Sequence, residues 1–541
     1  MHSKAWQERY PDLALLLQAS SIAPQTDVER FAFKAPDVDL LYVYGIHAEV
    51  FSQLESWLDA GPKRMLVLLE DELSRLQQFL LTPGAERYLL HPRIHLVGLF
   101  WEQSIKKQVE KVVLQFPTDS IAVAALHSNK RKRRFRILSE ELHRFSTIVS
   151  VLYTELLQYP RLLSNVLPNA YAWTSSFFVH ELRDAFRGTP ALICGAGPSL
   201  DKAAPLLANV SQRALIIACG SAIPALGAKK IVPHLGVAVD PNEEEFARFC
   251  ASSCFEMPLF YATRLHSDVF STLCGPKGYM RSATGGPCER ILEEEMGLSG
   301  SPIGSELGME AFSVTAFATA LAVELGCSPI YFCGVDLAYT GNKRYAMGVV
   351  SHPEWKQKDK KGAIRRKDIH GQWIYTHRKW VMESNCIDAF ACAHSEVSFA
   401  NASMQGLGFR HIPNKSLEDL LSFPPCDLHA RVHSEIQMAS KPPLSKEQLS
   451  SVLLRIYEEL CHMQHCARLL RTECTMPQPS SGRLALLEHD FAEAKEKIAL
   501  FSSLDAILSR LQPKERWETW VKLCQESLRA ISRTIHTKHH Q

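Results

Sequence analysis

Hydrophobic residues along this chain fall into short runs that alternate with stretches of helical spacing. Asp39 to Tyr44, Arg64 to Leu69 and Arg93 to Phe100 are apolar runs of strand length. A helical pattern follows the first run through Leu58, and another spans about Glu72 to Leu80. Strands that alternate with helices predict parallel βαβ units. The alternation restarts after Gly188-Thr189-Pro190, where Ala191–Cys194, Ala214–Cys219, Leu235–Val239 and Ile330–Cys333 read as strands. Helices are expected near Leu200–Leu207 and Thr315–Leu325. Between the two alternating regions, Ser139 to about Phe186 is mostly helical, with breaks expected near Pro160 and Pro168. Beyond Ser422-Phe423-Pro424-Pro425 the strand-like runs stop. Ser445-Lys446-Glu447-Gln448 has the form of a capping box, and helical stretches at about 446–473, 483–503 and 515–536 predict a bundle.

The predicted fold class is α/β in three parts. A degenerate Rossmann-like α/β domain covers 1–165, a Rossmann-like central domain 166–422, and a helical bundle 423–541. Composition narrows the function little. The chain has 541 residues, and 60 Lys+Arg against 58 Asp+Glu leave a formal charge of +2. That balance argues against general nucleic-acid binding, which needs a broad basic footprint. The basic run Asn129–Arg136 reads as a solvated segment or a surface for an anionic partner. No stretch approaches the ~18–20 apolar residues of a membrane helix, and the first residues lack a signal-peptide pattern. The 15 cysteines all lie from Cys194 onward, without paired spacing, as suits a reducing compartment. A cytoplasmic protein without membrane insertion is expected.

Candidate chemistry concentrates in the centre. In the first domain, Glu70-Asp71 closes the second strand where a Rossmann unit places its ribose contact. However, Gly45-Ile46-His47 offers a single glycine, which ordinarily makes only a tight turn. Cys194-Gly195-Ala196-Gly197-Pro198-Ser199-Leu200-Asp201 is sharper, because it joins a strand directly to a helix. Glycines there allow close backbone approach, a helix N-terminus offers free N–H groups to a phosphate, and Ser199 adds a hydroxyl. A structural strand-to-helix turn is the plainer alternative. Asp240 and Asp336 also follow strands, and a single such Asp is ordinarily a cap. Three strand ends in one parallel sheet should nevertheless converge on one cleft. Cys461 to Cys466 places His462 and Cys466 four apart on a helix, but two ligands do not make a tetrahedral site, and no metal is expected.

The stretch Gly188 to Asp201 resembles the signature of the motility accessory factor (Maf) proteins, whose conserved domain is also named for an archaeal 6-hydroxymethylpterin diphosphokinase. Ala218 to Ala222, Val239-Asp240-Pro241, Cys333 to Tyr339 and Asn401-Ala402-Ser403 follow in the family's order, over about 170–420. That family is similar in turn to bacterial sialyltransferases that use CMP-sugars. The resemblance implies a CMP-linked nonulosonic acid as donor and a protein hydroxyl, flagellin-like or on another surface protein, as acceptor. It places the nucleotide on Gly195, Gly197, Pro198 and Ser199, with Ser221, Asp240, Ser313 and Asn401 shaping its pocket. Tyr345 and Tyr339 would meet the leaving phosphate beside Asp336, and no tightly bound cofactor is implied. His234 and Phe312 depart from the family's pattern.

Acceptor activation calls for a base, and His352, His370 and His377 lie in the polar stretch after Asp336; His352, nearest Tyr345, is favoured. Arg365-Arg366-Lys367 reads equally as an anion-attracting patch or a solvated face. Two other readings stand beside the glycosyltransferase. One is a Mg²⁺-dependent pyrophosphokinase acting on a hydroxymethylpterin-like compound, with Asp240 and Asp336 as ligands. The other is a non-catalytic scaffold that keeps the fold.

Overall fold

The computed structural model describes residues 5–18, 36–100, 104–126, 133–282, 284–298, 300–308, 311, 313–341, 343–350, 362–439, 444–498, 501, 508 and 512–539. It divides into two compact units, Met1–Glu155 and Leu156–Gln541.

In the first unit, β1 (Leu40–Tyr44), β2 (Met65–Glu70), β3 (Ile94–Gly98) and β4 (Ile121–Ala125) form a parallel sheet in the order β3-β2-β1-β4. The three apolar runs are its first three strands. The fourth, Ile-Ala-Val-Ala-Ala, is too short and too rich in small residues for periodicity to separate strand from helix. Glu70 ends β2 fully buried. Its carboxylate accepts the N–H groups of Ile46 at 2.8 Å, Asp71 at 3.0 Å and Glu72 at 2.9 Å. The strand-end carboxylate thus staples the β1 turn to the β2 end, and its oxygens serve the chain itself. Of the basic run, Asn129 to Lys132 lie outside the described residues. Arg134 pairs with Asp71 at 3.2 Å and donates to the Leu99 carbonyl.

The second unit holds an eight-stranded sheet: β5 (Phe177–Phe178), β6 (Ala191–Cys194), β7 (Leu215–Cys219), β8 (Leu235–Ala238), β9 (Leu259–Tyr261), β10 (Lys277–Tyr279), β11 (Ile330–Cys333) and β14 (Phe399–Asn401). An antiparallel ribbon, β12 (Ala363–Lys367) with β13 (Trp373–His377), stands apart from it. The large sheet is parallel throughout, in the order β14-β11-β6-β7-β8-β9-β10-β5. Strand order therefore reverses between β6 and β11, and the loops after these two strands diverge to opposite faces.

The helices that matter below are α1 (Arg133–Ala172), α2 (Ser199–Val210), α3 (Ala222–Gly227), α4 (Glu243–Cys250), α5 (Val314–Glu324), α6 (Arg378–Ala393), α7 (Lys446–Glu473), α8 (Ser481–Ile498) and α9 (Pro513–His539). The expected breaks at Pro160 and Pro168 do not occur: α1 continues through both. Leu163, Val166, Leu167, Ala170 and Tyr171 make a buried stripe at helical spacing, and that packing outweighs the backbone bonds two prolines remove. The three C-terminal helices follow the predicted stretches closely, and the Ser445 hydroxyl caps α7 by accepting the Gln448 N–H at 2.9 Å.

Two cores sandwich the sheet. Ile193, Ile217, Val237 and Phe332 pack with α5 and α6 on one face. Leu192, Cys194, Ile216 and Ala218 share the other core with α1 and with Leu453, Leu460, Trp520 and Ile531 of the C-terminal helices. A 2.8 Å hydrogen bond between the Tyr171 and Ser450 hydroxyls joins α1 to α7. All fifteen cysteines are free thiols, and most are buried. Among the described residues, no helix is long and apolar enough to cross a membrane.

Trp520 is fully buried, with its ring edge-on to Phe491 at 5.1 Å and to Phe501 at 5.5 Å. Trp520→Ala should lower the stability of the second unit by about 3–5 kcal/mol, measured as a shift in the urea unfolding midpoint.

Candidate active site

At the reversal point, the loops after β6 and β11 meet back to back. The Gly195 N–H donates to the Cys333 carbonyl at 2.8 Å, and the Gly197 N–H to the Gly334 carbonyl at 2.7 Å. A Cβ on Gly195 would stand 2.6 Å from the Gly334 oxygen, and one on Gly197 would stand 2.6 Å from Asp336 Cγ. These two glycines thus permit the approach of one loop to the other. Asp336 follows, fully buried, and fills the start of α2. It accepts the Ser199 N–H at 2.9 Å, the Ser199 hydroxyl, and the Thr340 hydroxyl at 3.0 Å. A carboxylate of the chain itself therefore occupies the helix N-terminus that the sequence offered to a phosphate. Burial raises the Asp336 pKa, and its donors from Ser199 and Thr340 pull it back.

The rest of the signature is equally committed. Asp201 accepts the Met347 N–H at 3.1 Å and pairs with Lys229 at 2.8 Å. The Ala346 N–H donates to the Ala196 carbonyl at 2.8 Å. Together they pin the segment carrying Arg344 and Tyr345 against the first loop. At the end of β14, Asn401 binds Asn414 and the Ser403 N–H, and Ser403 accepts the Val335 N–H at 3.0 Å. Pro198, Ser199 and Asn401 lie behind the cleft wall and brace it.

In front of that wall opens a cleft of about 200 Å³. Gly195, Gly197, Ser221, Asp240, Ser313, Asp336 and Tyr345 all line it, so the structure brings together seven of the residues selected from sequence. Tyr339 lies beside it, with its hydroxyl 3.0 Å from His377 Nε2 and its ring 5.2 Å from that of Trp380, which does line the cleft. His370 is exposed, its Nε2 at 3.1 Å from the Met404 carbonyl. His352 and Phe312 fall outside the described residues. His234 precedes β8, at the end of the strand opposite Asp240. There it is buried, accepts the Ile216 N–H at 2.8 Å and stacks on His429, so this departure from the family pattern does not touch the cleft.

Four lining or supporting residues escaped sequence reasoning: Glu245, Arg248, Glu383 and Arg344. The guanidinium carbons of Arg344 and Arg248 lie over the Tyr345 ring at 5.0 and 5.7 Å. Arg248 is held by Glu245 at 3.1 Å. Glu383, on α6, accepts the hydroxyl of Ser313, which also caps α5. Burial raises both Glu245 and Glu383 to about 7, with Asp240 adding repulsion to each, while Arg248 or Ser313 and Lys379 oppose the shift. Both glutamates sit within amphipathic helical stretches, where a glutamate normally signals solvent. Only the fold shows that they face inward.

Among the described residues, one set of three metal-competent side chains has donor atoms within 4.8 Å of one another: Asp388, Cys392 and His411. None of them lines the cleft, and Asp388 already accepts His411 Nδ1 at 2.6 Å and the His411 N–H at 2.7 Å. His462 and Cys466 face each other at 3.8 Å within α7.

Two outcomes follow for stability. Asp336→Asn turns an acceptor-only group toward the Ser199 N–H as an amide, and should cost about 1–3 kcal/mol, more than Ser199→Ala, in chemical denaturation. Glu383 titrates near 7 when folded against 4.5 in the unfolded chain. The stability it contributes is therefore full below about 4.5 and lost as pH rises through about 7; Glu383→Gln should flatten that slope in melts from pH 4 to 8.

Residues 164–342 match the model of a family described as "6-hydroxymethylpterin diphosphokinase MptE-like". No curated protein matches the chain. Among solved structures, that of the MAf glycosyltransferase from Magnetospirillum magneticum AMB-1 is similar at 15% identity and a TM-score of 0.47, covering 99% of this chain and 83% of that one. The matched residues span the part of the chain that holds the cleft at the strand reversal.

Proposed function

We propose that the cleft binds a nucleotide-activated sugar, a CMP-linked nonulosonic acid, and transfers it to a hydroxyl of a protein acceptor. The observation that carries this reading is the pairing, across one cleft, of Tyr345 under two guanidinium groups with the Glu383 carboxyl, poised near neutrality. The sugar–phosphate bond breaks as the acceptor oxygen attacks. Charge then develops on the departing phosphate, where Arg344 and the Tyr345 hydroxyl are available to receive it. The acceptor proton needs a base whose pKa lies near working pH. Glu383 meets that requirement within the cleft, whereas His377 stands one residue removed, behind Tyr339. This reassigns the base from the histidines that the sequence favoured to a carboxyl.

The pyrophosphokinase reading draws support from the family description. It needs Mg²⁺ between Asp240 and Asp336, yet the Asp336 oxygens are already engaged by Ser199 and Thr340. That engagement favours the sugar transferase.

Calorimetric titration separates the two. CMP should bind without metal, and Tyr345→Ala should weaken it roughly tenfold, about 1.4 kcal/mol. ATP binding that requires Mg²⁺, with no binding of CMP, would overturn the proposal. CMP affinity should also fall between pH 6 and 8, because Glu383, which lines the cleft, becomes anionic as pH passes about 7. Glu383→Gln should remove part of that fall.

A further inference from the structure

The β12–β13 ribbon is rooted at the cleft mouth. The Tyr339 N–H donates to the Tyr375 carbonyl at 2.8 Å, and the Thr376 hydroxyl to the carbonyl of Leu337, a lining residue, at 2.6 Å. Its turn is built by Asp368, whose carboxylate accepts the N–H groups of His370 at 2.9 Å and Gln372 at 2.8 Å. Residues paired directly across an antiparallel ladder share a face. One face therefore carries Lys367 with Trp373, Arg365 with Tyr375, and Ala363 with His377, in that order toward the cleft. Arg365 and Lys367 lie against the Trp373 ring, at 5.0 and 5.9 Å, so the indole holds both cations on the surface and is itself 61% exposed.

Among the described residues, no carboxylate pairs with Arg365, Arg366, Lys367 or Arg378. Arg366 and Arg378 crowd each other on the other side of the ribbon, where burial and the Arg366 charge bring Arg378 down to about 10. Among the described residues, a protein of near-zero net charge has here concentrated positive charge beside its cleft.

We propose that this face is the acceptor track: it holds an extended, acidic polypeptide segment beside the hydroxyl to be modified. The inference rests on the glycosyl-transfer reading of the cleft. Spacing selects the ligand. Arg365 and Lys367 are two residues apart on a strand, roughly 7 Å, and the track from Lys367 to Ala363 spans roughly 14 Å. That repeat matches alternate side chains of an extended peptide. Among the described residues no strand pairs with the outer edge of β12, and an edge of that kind suits strand addition by an extended peptide.

The test is fluorescence anisotropy with a labelled twelve-residue Asp-Ser repeat, and with Asn-Ser and Lys-Ser repeats of equal length, at low and high salt. The Asp-Ser peptide should bind at least roughly tenfold more tightly than the Asn-Ser peptide, and weaken steeply with salt. The Arg365→Glu/Lys367→Glu double variant should abolish the difference. Arg366→Glu, on the opposite face, should leave most of it. Equal binding of the Asp-Ser and Asn-Ser peptides overturns the proposal. So does an equal loss in both variants, or tighter binding of a sulfated oligosaccharide or oligo-dT. CMP titration of the same double variant keeps the two readings apart. Normal CMP binding without peptide selectivity sinks the track alone. Peptide selectivity in a wild-type protein that does not bind CMP sinks the transferase and leaves a peptide-binding arm.

Discussion

The site depends on one buried carboxylate. Asp336 sits at the positive end of α2 and takes two bonds from Ser199 and one from Thr340. Without that internal anion, the helix start would present unsatisfied donors to the space between two glycine loops. With it, the loops after β6 and β11 close on each other, and the cleft wall becomes rigid backbone. Gly195 and Gly197 are part of the same constraint, since any side chain on either would collide with the opposing loop. A sequence that looks made to cradle a ligand is therefore made first to weld the sheet at its reversal point.

The weld leaves the chemistry to groups in front of it. Asp240 faces both buried glutamates, Glu245 and Glu383, and its charge raises the cost of ionising each of them. Two guanidinium groups stand over Tyr345 close by. Such an arrangement binds an anion best when its carboxyls are neutral and can release or accept a proton near neutrality. It also explains how a chain with a formal charge of +2 can carry strongly polarised local fields.

How much of this the sequence disclosed varies with the kind of signal. Strands buried on both faces, such as Ala191–Cys194, were plain as apolar runs, and the C-terminal helices were plain from their caps and spacing. The two- and three-residue strands Phe177–Phe178 and Lys277–Tyr279 were not, because so few residues carry no period. The signature glycines line the cleft, but the loop that Gly195 and Gly197 approach, at Gly334 and Asp336, is too distant in sequence for the motif to disclose it. Glu245 and Glu383 were invisible for the complementary reason: a glutamate on a helix looks solvated until tertiary packing turns it inward.

The core shared by α1, the sheet and α7 to α9 has a consequence for synthesis. The core that holds α1 is completed by helices that begin at Lys446, after every strand of the large sheet in the chain. Tyr171 waits for Ser450, 279 residues downstream, for its hydroxyl partner. The nascent chain must therefore carry part of the apolar stripe of α1 uncovered until its last helices emerge. Protection of that intermediate, by delay of collapse or by a chaperone, is a demand written into the order of the elements.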